Sequence, residues 1–462
     1  MDQHAAHLLT DRPAGSPDSN SSSAGPASER DRWLALRDGV ASVWSRYTDL
    51  VVARGSGSWI ETVDGDRFLD YTSGIGVTST GHAHPRVAAA IADQAQRIIH
   101  AQQNILYHQP GLLLHERLPG RFPGLAPGEH ARLFLSNSGA EAVEAAIKLA
   151  KQATQRPAIV AFRGGFHGRT HGTMALTSSG VRMRGHFEPL LGSVYHVPYP
   201  YPLRNPTGPG DEAAVAFTMA ALDELFVTMV YPDDVAAFVV EPILGEGGYV
   251  VPPDSFLRAL RALADQHGIL LVADEVQSGY GRTGRFFATE WTGITPDVVV
   301  MAKGIASGLP LSGILARGDL LERFEPGAHG GTYGGNAVAC AAAIATLDVI
   351  DDERLVENAE REGERLLAGL REIARGHAHV AEVRGRGLMA ALEFADPETL
   401  APRADLAKAV LHEAFDRKLL LLTCGTRGQA VRVIPPLVTT DEEIDSAVRI
   451  LGEALETVER TA

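Results

Sequence analysis

The sequence predicts an α/β fold built on a mostly parallel sheet. From about residue 82 onward, short apolar runs alternate with amphipathic helical segments, which is typical of parallel strands joined by helices. Two strand-like runs precede this region, and a further region of mixed helices and strands follows Asp351. The chain has 462 residues, which is enough for two or three domains with sizeable cores.

The individual elements follow from turn signals and apolar spacing. Between Ser56 and Asp70, two short runs flank an Asp64-Gly65 turn signal and predict a small hairpin. Strands are predicted at Ala158–Phe162, Ala236–Val240, Ile269–Ala273, Asp297–Met301 and Ser312–Ala316, and helices at Ala140–Ala153, Ser255–His267 and Ala337–Ile350. After Asp351 we expect a helix from Glu353 to about Arg375, strands at Val380–Val383 and Leu388–Phe394, another helix, and a strand at Ala430–Ile434.

Composition and charge favour a small-molecule site over a macromolecular partner. The chain carries 42 Lys and Arg against 57 Asp and Glu, a net charge of −15, without a long basic run, which argues against nucleic acid or an anionic membrane. No apolar run reaches the ~18 residues of a membrane-spanning helix. The cysteines are Cys340 and Cys424, which lack metal-ligand spacing. We therefore expect a cytoplasmic protein.

Lysine usage points to one kind of chemistry. The sequence has five lysines and 37 arginines, so a lysine at a special position suggests a reaction that a guanidinium cannot perform. An amine can form a Schiff base. Lys303 follows a predicted strand, as do Glu241 and Asp274, and ligands of open α/β sheets lie beyond the carboxyl ends of the strands. Each residue alone is equally compatible with a structural ion pair.

A possible phosphate site precedes the first predicted helix. The apolar run ending at Leu135 breaks into Ser136-Asn137-Ser138-Gly139-Ala140 before the helix begins, and a helix N-terminus offers unpaired N–H groups to an anion. The alternative is a capping box between Ser138 and Glu141, which needs no ligand. Together, a phosphate cradle, an acid and an amine match the requirements of pyridoxal phosphate.

These residues resemble the class III, or omega-type, pyridoxal-phosphate aminotransferases of fold type I, from about residue 33 to the C-terminus. The diagnostic stretch runs from Leu270 to Gly284 and continues through Pro296–Gly304 to Gly308–Gly313. Composition predicts a disordered tail (1–32), because this segment is rich in Ser, Pro and Gly. For the rest of the chain we expect a small domain made of residues 33–81 and 347–462 and a large cofactor-binding domain (82–346).

The resemblance also implies residue roles at a pyridoxal phosphate site. Lys303 would form the Schiff base and shuttle a proton, and Asp274 would pair with the pyridine nitrogen. Thr332 would reach a neighbouring subunit's phosphate, which implies a homodimer with shared active sites or a tetramer. The rest of the implied cofactor set is Gln277 at the ring hydroxyl, Ser138, Gly139 and Ala140 at the phosphate, Phe166 against the ring, and His167 and Glu241.

The substrate is indicated by a candidate carboxylate gate. Arg432 matches an arginine that binds the α-carboxylate of 2-oxoglutarate in the family, and Glu246 matches the glutamate that masks it, although the pair could be a structural salt bridge. Ile75 and Arg169 match positions that line the far end of the pocket in 4-aminobutyrate aminotransferases. The favoured reaction moves an amino group from an ω-amino acid, best 4-aminobutyrate, to 2-oxoglutarate, giving glutamate and a semialdehyde.

Several alternatives stay open. The donor could be ornithine, N-acetylornithine or β-alanine, or the protein could be a class III amino-acid racemase or epimerase. A non-catalytic binding module is disfavoured by Lys303, Asp274 and Gln277. The segment His82-Ala83-His84-Pro85 invites a metal site, but no nearby Cys or acid completes a ligand set, so we expect no metal.

Overall fold

The computed structural model describes residues 28–460. The strands are β1 (Val52–Ser56), β2 (Trp59–Thr62), β3 (Arg67–Asp70), β4 (Ala131–Ser136), β5 (Ala158–Phe162), β6 (Val194–Val197), β7 (Val235–Val240), β8 (Leu270–Asp274), β9 (Val298–Met301), β10 (Ser312–Arg317), β11 (Val380–Arg386), β12 (Met389–Phe394), β13 (Leu419–Leu420), β14 (Leu422–Cys424) and β15 (Ala430–Val433). The helices are α1 (Glu29–Leu34), α2 (Ser73–Gly76), α3 (Pro85–Arg97), α4 (Gln109–Arg117), α5 (Gly139–Thr154), α6 (His171–Leu176), α7 (Asp211–Thr228), α8 (Asp254–His267), α9 (Gly318–Leu321), α10 (Ala337–Asp352), α11 (Leu355–Ala374), α12 (Ala404–Asp416) and α13 (Asp441–Glu459).

The large sheet has seven strands in the order β4-β10-β9-β8-β7-β5-β6. Strands β5 to β9 pair in parallel, and β10 runs antiparallel to both of its neighbours. All five strands predicted for this region are present, within one residue at each end. The two edge strands, β4 and β6, were not predicted. Edge strands are partly exposed and therefore lack a continuous apolar run.

Both faces of this sheet are covered, as expected for parallel strands. Alternate side chains of β5 belong to different cores: Ile159 packs in a cluster with helix α5, and Val160 packs in a cluster with α7 and α8. The shared strand direction places the residues that follow β4, β5, β7, β8 and β9 along one edge of the sheet. This edge is where we expect a ligand site.

The two ends of the chain meet in a smaller sheet. The predicted hairpin is present as β2 and β3, with Gly65 in a left-handed conformation at the turn. Strand β13 from the C-terminal region pairs in parallel with β3, in the order β1-β2-β3-β13. A separate antiparallel sheet has the order β11-β12-β15-β14. The pairing of β3 with β13 thus joins segments that are about 350 residues apart in the sequence.

Two predicted boundaries lie elsewhere in the structure. Helix α1 begins at Glu29, where Ser28 and Asp31 form a capping box, so the predicted tail is too long by four residues; residues 1–27 lie outside the described part of the chain. The helix expected from Glu353 begins at Leu355, because Arg354 adopts a left-handed conformation between α10 and α11. Among residues 28–460, no helix is both long and apolar enough to cross a membrane.

Candidate active site

A cavity of about 390 Å³ lies at the carboxyl edge of the large sheet. The loops after β4, β5, β7, β8 and β9 each contribute to its wall, as the strand directions require. The predicted site residues that line it are Ser138, Gly139, Ala140, Phe166, His167, Arg169, Glu241, Glu246, Asp274, Gln277 and Lys303. The fold therefore brings together residues from five separate segments of the sequence.

Asp274, the last residue of β8, forms a buried ion pair with His167. The His167 Nδ1 atom lies 2.8 Å from Asp274 Oδ2. Burial disfavours the charged form of His167, but the hydrogen bond and charge of Asp274 outweigh it, so the pKa of His167 is raised. This contact with His167 fixes the position of the Asp274 carboxyl group. A carboxylate in this position can pair with a cationic ring nitrogen.

Lys303 follows β9 and lines the same cavity. Its φ of 46° lies in the left-handed region, which a non-glycine residue adopts at a cost of about 1 kcal/mol or more. Desolvation lowers the pKa of the Lys303 amine to about 8; Glu246 opposes this shift and Arg432 adds to it. A substantial fraction of the amine is therefore neutral and nucleophilic near physiological pH.

The N-terminus of helix α5 forms one end of the cavity. The predicted capping box is present: Ser138 Oγ accepts the Glu141 N–H at 3.3 Å, and Glu141 Oε2 accepts the Ser138 N–H at 3.1 Å. The box does not exclude an anion site. Gly139 and Ala140 open the helix and face the cavity, and N–H groups of the first turn have no acceptor within the helix.

Gly168 packs tightly against this helix terminus. A Cβ atom at Gly168 would lie 2.7 Å from Ala140 Cβ and 2.5 Å from Thr173 Oγ1, and the φ of Gly168 is +133°.

We expect Gly168→Ala to destabilise the fold by about 2 kcal/mol and to weaken phosphate binding at α5. Urea denaturation and phosphate-dependent thermal shifts would measure both effects. Gly180→Ala is the control, since a Cβ there meets no atom within 4 Å; equal losses in both variants would contradict the prediction.

Glu241 ties two loops of the site together. Its carboxyl oxygens accept the N–H groups of Phe166 and Gly245, each at 2.7 Å. Burial raises the pKa of Glu241 to about 7, with His167 lowering it and Asp274 raising it. The half-buried Phe166 ring lies on the cavity wall, and Arg169 Cζ lies 5.8 Å from the ring centroid. Glu241 therefore acts as a positioning residue for these loops.

Glu246 and Arg432 form an ion pair at the cavity wall. Glu246 Oε1 lies 2.5 Å from Arg432 Nη1, and the Arg432 side chain is buried on β15 behind Glu246. Burial disfavours the Glu246 carboxylate, but the charges of Arg432 and Lys303 outweigh it and lower its pKa. The cavity thus faces Glu246, which covers the guanidinium.

The loop carrying Glu246 includes a residue that the sequence did not single out. The Tyr249 ring is buried with its centroid 6.0 Å from Arg432 Cζ, and its φ is +55°. Two hydrogen bonds from the C-terminal region hold this loop: Gly425 N–H donates to Glu246 O at 3.0 Å, and Arg384 Nε donates to Gly248 O at 3.0 Å. No local pattern distinguishes Tyr249 from an ordinary core tyrosine.

Besides Arg432, which Glu246 covers, two predicted site residues do not line this cavity. Ile75 lines a separate cavity of about 230 Å³ with Tyr47 and Phe415. Thr332 is exposed and does not line the site within one chain. Conversely, Val276 lines the cavity between Asp274 and Gln277, although the sequence analysis gave it no role.

The two histidines of the candidate metal motif have other partners. His82 Nε2 lies 2.8 Å from Asp70 Oδ2, and His84 Nε2 lies 3.1 Å from Glu353 Oε1. Over residues 28–460, no group of three or more His, Cys, Asp or Glu side chains is arranged to hold a metal ion.

The donor set fits pyridoxal phosphate. The Gln277 side chain lines the cavity, and its buried Oε1 atom has no partner among the described residues. A buried polar atom of this kind is costly unless a ligand pairs with it. The cavity thus combines an unpaired amide oxygen, a carboxylate, a nucleophilic amine and a helix N-terminus, which match a ring hydroxyl, ring nitrogen, aldehyde and phosphate.

Comparisons with known proteins agree with this geometry. The family described as Aminotransferase class-III matches residues 40–455. The chain is 39% identical to a 5-aminovalerate aminotransferase of Pseudomonas aeruginosa (88% of this chain, 93% of that protein) and 37% identical to a 4-aminobutyrate aminotransferase of Escherichia coli (92% and 97%). It is also 38% identical to an alanine/serine racemase of Pyrococcus horikoshii (88% and 85%). The pyridoxal-phosphate-bound structure of an amine transaminase from an uncultivated Pseudomonas species superposes with a TM-score of 0.83 at 33% identity, covering 91% of this chain and 98% of that one.

Proposed function

Because the chain belongs to the class III aminotransferase family, and is thus a pyridoxal-phosphate-dependent enzyme of fold type I, we propose that it transfers an amino group from an ω-amino acid to 2-oxoglutarate. The best candidate donor is 4-aminobutyrate, and the products are glutamate and a semialdehyde. The relatives that act on 4-aminobutyrate and 5-aminovalerate support a donor with a terminal amine.

The Glu246–Arg432 pair carries this proposal. While Glu246 and Arg432 are paired, this part of the cavity wall presents no net charge to the hydrocarbon chain of an ω-amine. The α-carboxylate of 2-oxoglutarate can instead replace the Glu246 carboxylate on the Arg432 guanidinium. An unpaired buried guanidinium is costly, so one of the two carboxylates always occupies Arg432. The pair can therefore admit both substrates to one cavity in turn.

The remaining residues supply the chemistry around this gate. Pyridoxal phosphate, when bound, accepts electrons from the substrate carbon that bears the amine. Asp274, held by His167, would pair with its ring nitrogen, and Gln277 would pair with its hydroxyl. Lys303 would hold it covalently, and once displaced, Lys303 Nζ would take the proton from the substrate carbon that bears the amine.

A donor panel tests the proposal. The holoenzyme is supplied with 2-oxoglutarate and 4-aminobutyrate, 5-aminovalerate, ornithine, N-acetylornithine, β-alanine or isoleucine in turn, and glutamate is measured. We expect the highest kcat/KM with 4-aminobutyrate. Turnover of N-acetylornithine alone would reassign the donor.

Racemisation is the second candidate function, favoured by the 38% identity to an alanine/serine racemase. A racemase returns the proton to the opposite face of the same carbon and needs no keto acid. Loss of optical activity from isoleucine, alanine or serine without 2-oxoglutarate would support it. A strict requirement for 2-oxoglutarate supports transamination.

The lowered pKa of Lys303 predicts how cofactor uptake depends on pH. Only the neutral amine attacks an aldehyde, so the rate of uptake by apoprotein should rise about tenfold per pH unit below 8 and level off above it. Stopped-flow absorbance after addition of pyridoxal phosphate measures this rate. The control variant Lys408→Ala should show the same dependence of rate on pH. A rate that still rises at pH 10 would contradict the lowered pKa of Lys303.

The exposed surface supports a homodimer in which Thr332 completes the partner's site. The side chains of Ile105, Leu106 and Tyr107 are exposed. The segment that carries Thr332 lies beside them, because the Tyr333 ring contacts the His100 ring with the centroids 5.3 Å apart. Such an apolar patch is typical of an interface.

We expect the wild-type chain to sediment as a dimer and Ile105→Asp to sediment as a monomer. The control is Val227→Asp, which changes an equally exposed aliphatic residue on α7. A monomeric wild type would contradict the shared site, whereas a tetramer would mean a second interface.

A further inference from the structure

We propose that this protein has a second ligand site, which binds a small multivalent oxyanion between the large sheet and the small domain. A cavity of about 310 Å³ lies there, beyond the carboxyl ends of β5 and β6. The side chains of Arg163, Arg204 and Arg427 line it. Residues of the small domain, including Pro402 and Gln429, close the opposite side.

The charged side chains that line this cavity are all positive. None of the acidic side chains that the structure describes lines it, although the chain as a whole carries a net charge of −15. The positive charge of Arg204 is neutralised by an ion pair, since Arg204 Nε lies 2.5 Å from Oε1 of the buried Glu393. Arg163 and Arg427 are exposed and form no ion pair within residues 28–460. Two guanidinium charges are therefore free to bind an anion.

The uncharged polar side chains of Tyr199, Asn205 and Gln429 in this cavity already have partners. Tyr199 donates to the Glu241 backbone oxygen at 3.0 Å, and Asn205 donates to Gly208 O at 2.7 Å. Gln429 Oε1 accepts the Arg427 N–H at 3.0 Å. The donors left for a ligand are thus mainly guanidinium N–H groups, which select carboxylate or phosphate oxygens over neutral hydroxyls.

The second cavity shares a wall with the first. Leu244 and Gly247 line the second cavity, and Glu246, on the same loop, lines the first. Arg432 and Lys303 do not line the second cavity. Its occupant would therefore contact the rear of the loop that carries Glu246 without entering the substrate site.

Binding of two probes to the holoenzyme tests the proposal. Citrate represents a carboxylate source and inorganic phosphate a phosphate source, and each is titrated by calorimetry at constant ionic strength set with sodium chloride. We expect one or both to bind, and Arg163→Gln/Arg427→Gln to weaken binding at least about tenfold. The probe that binds with the higher affinity shows whether the site takes a carboxylate or a phosphate. Absence of binding by both would overturn the proposal.

Two further variants separate this site from the active site. Arg432→Leu should keep the anion binding, since Arg432 does not line the second cavity, and the exposed control Arg371→Gln should also keep it. If Arg432→Leu lost anion binding while Arg163→Gln/Arg427→Gln kept it, the proposal of a second site would be overturned. The donor panel described above does not depend on this result, so the proposed function and this inference fail separately.

Discussion

Lys303→Ala is expected to lower kcat for transamination by at least about 10⁴-fold, or about 5.5 kcal/mol in activation free energy. The amine has two proposed tasks, covalent capture of the cofactor and proton transfer at the substrate carbon, and alanine can do neither. Residues acting in both steps cause large losses when removed. Steady-state glutamate formation with 4-aminobutyrate and 2-oxoglutarate measures the effect.

The variant should still fold and bind pyridoxal phosphate without a covalent bond. The helix N-terminus at Gly139 and the Asp274–His167 pair remain in place, so we expect weakened but measurable binding in equilibrium dialysis. Borohydride reduction should fix the cofactor to Lys303 in the wild type and in the control Lys408→Ala. Activity of the variant above about 1% of wild type, or labelling of another lysine, would refute the assignment.

The sequence predicted the parts of the fold whose signal is local. The central strands of the large sheet are buried on both faces and read as continuous apolar runs, so β5 was placed to the residue. The edge strands β4 and β6 carry mixed exposed and buried positions and gave no such signal. Asp274 and Lys303 were found because they lie at the carboxyl ends of central strands.

The site residues that depend on tertiary contact were harder to place. Glu246 and Arg432 are 186 residues apart, and only the family resemblance linked them before the ion pair was located. Tyr249 and Val276 gave no chemical signal, because an aromatic or aliphatic side chain in a cavity looks the same in sequence as one in the core. Ile75 shows the reverse case: the resemblance assigned it to the pocket, and the fold places it in a neighbouring cavity.

Arg432→Leu should raise the KM for 2-oxoglutarate by about 30-fold or more, which corresponds to about 2 kcal/mol. The variant removes the guanidinium that would pair with the α-carboxylate and leaves Glu246 without its ion-pair partner. The KM for 4-aminobutyrate should change less, because this substrate has no α-carboxylate. Measuring each half-reaction separately by stopped flow distinguishes the two substrates.

Glu246→Gln is expected to have the opposite effect on the two substrates. The amide keeps the size of the side chain but removes the charge that neutralises Arg432 in the absence of a carboxylate. The KM for 4-aminobutyrate should therefore rise by about tenfold, while the KM for 2-oxoglutarate stays the same or falls. A purely structural salt bridge predicts instead that both variants impair both half-reactions, and that Glu246→Gln/Arg432→Leu restores them together. Opposite shifts in KM would thus identify the pair as a substrate gate.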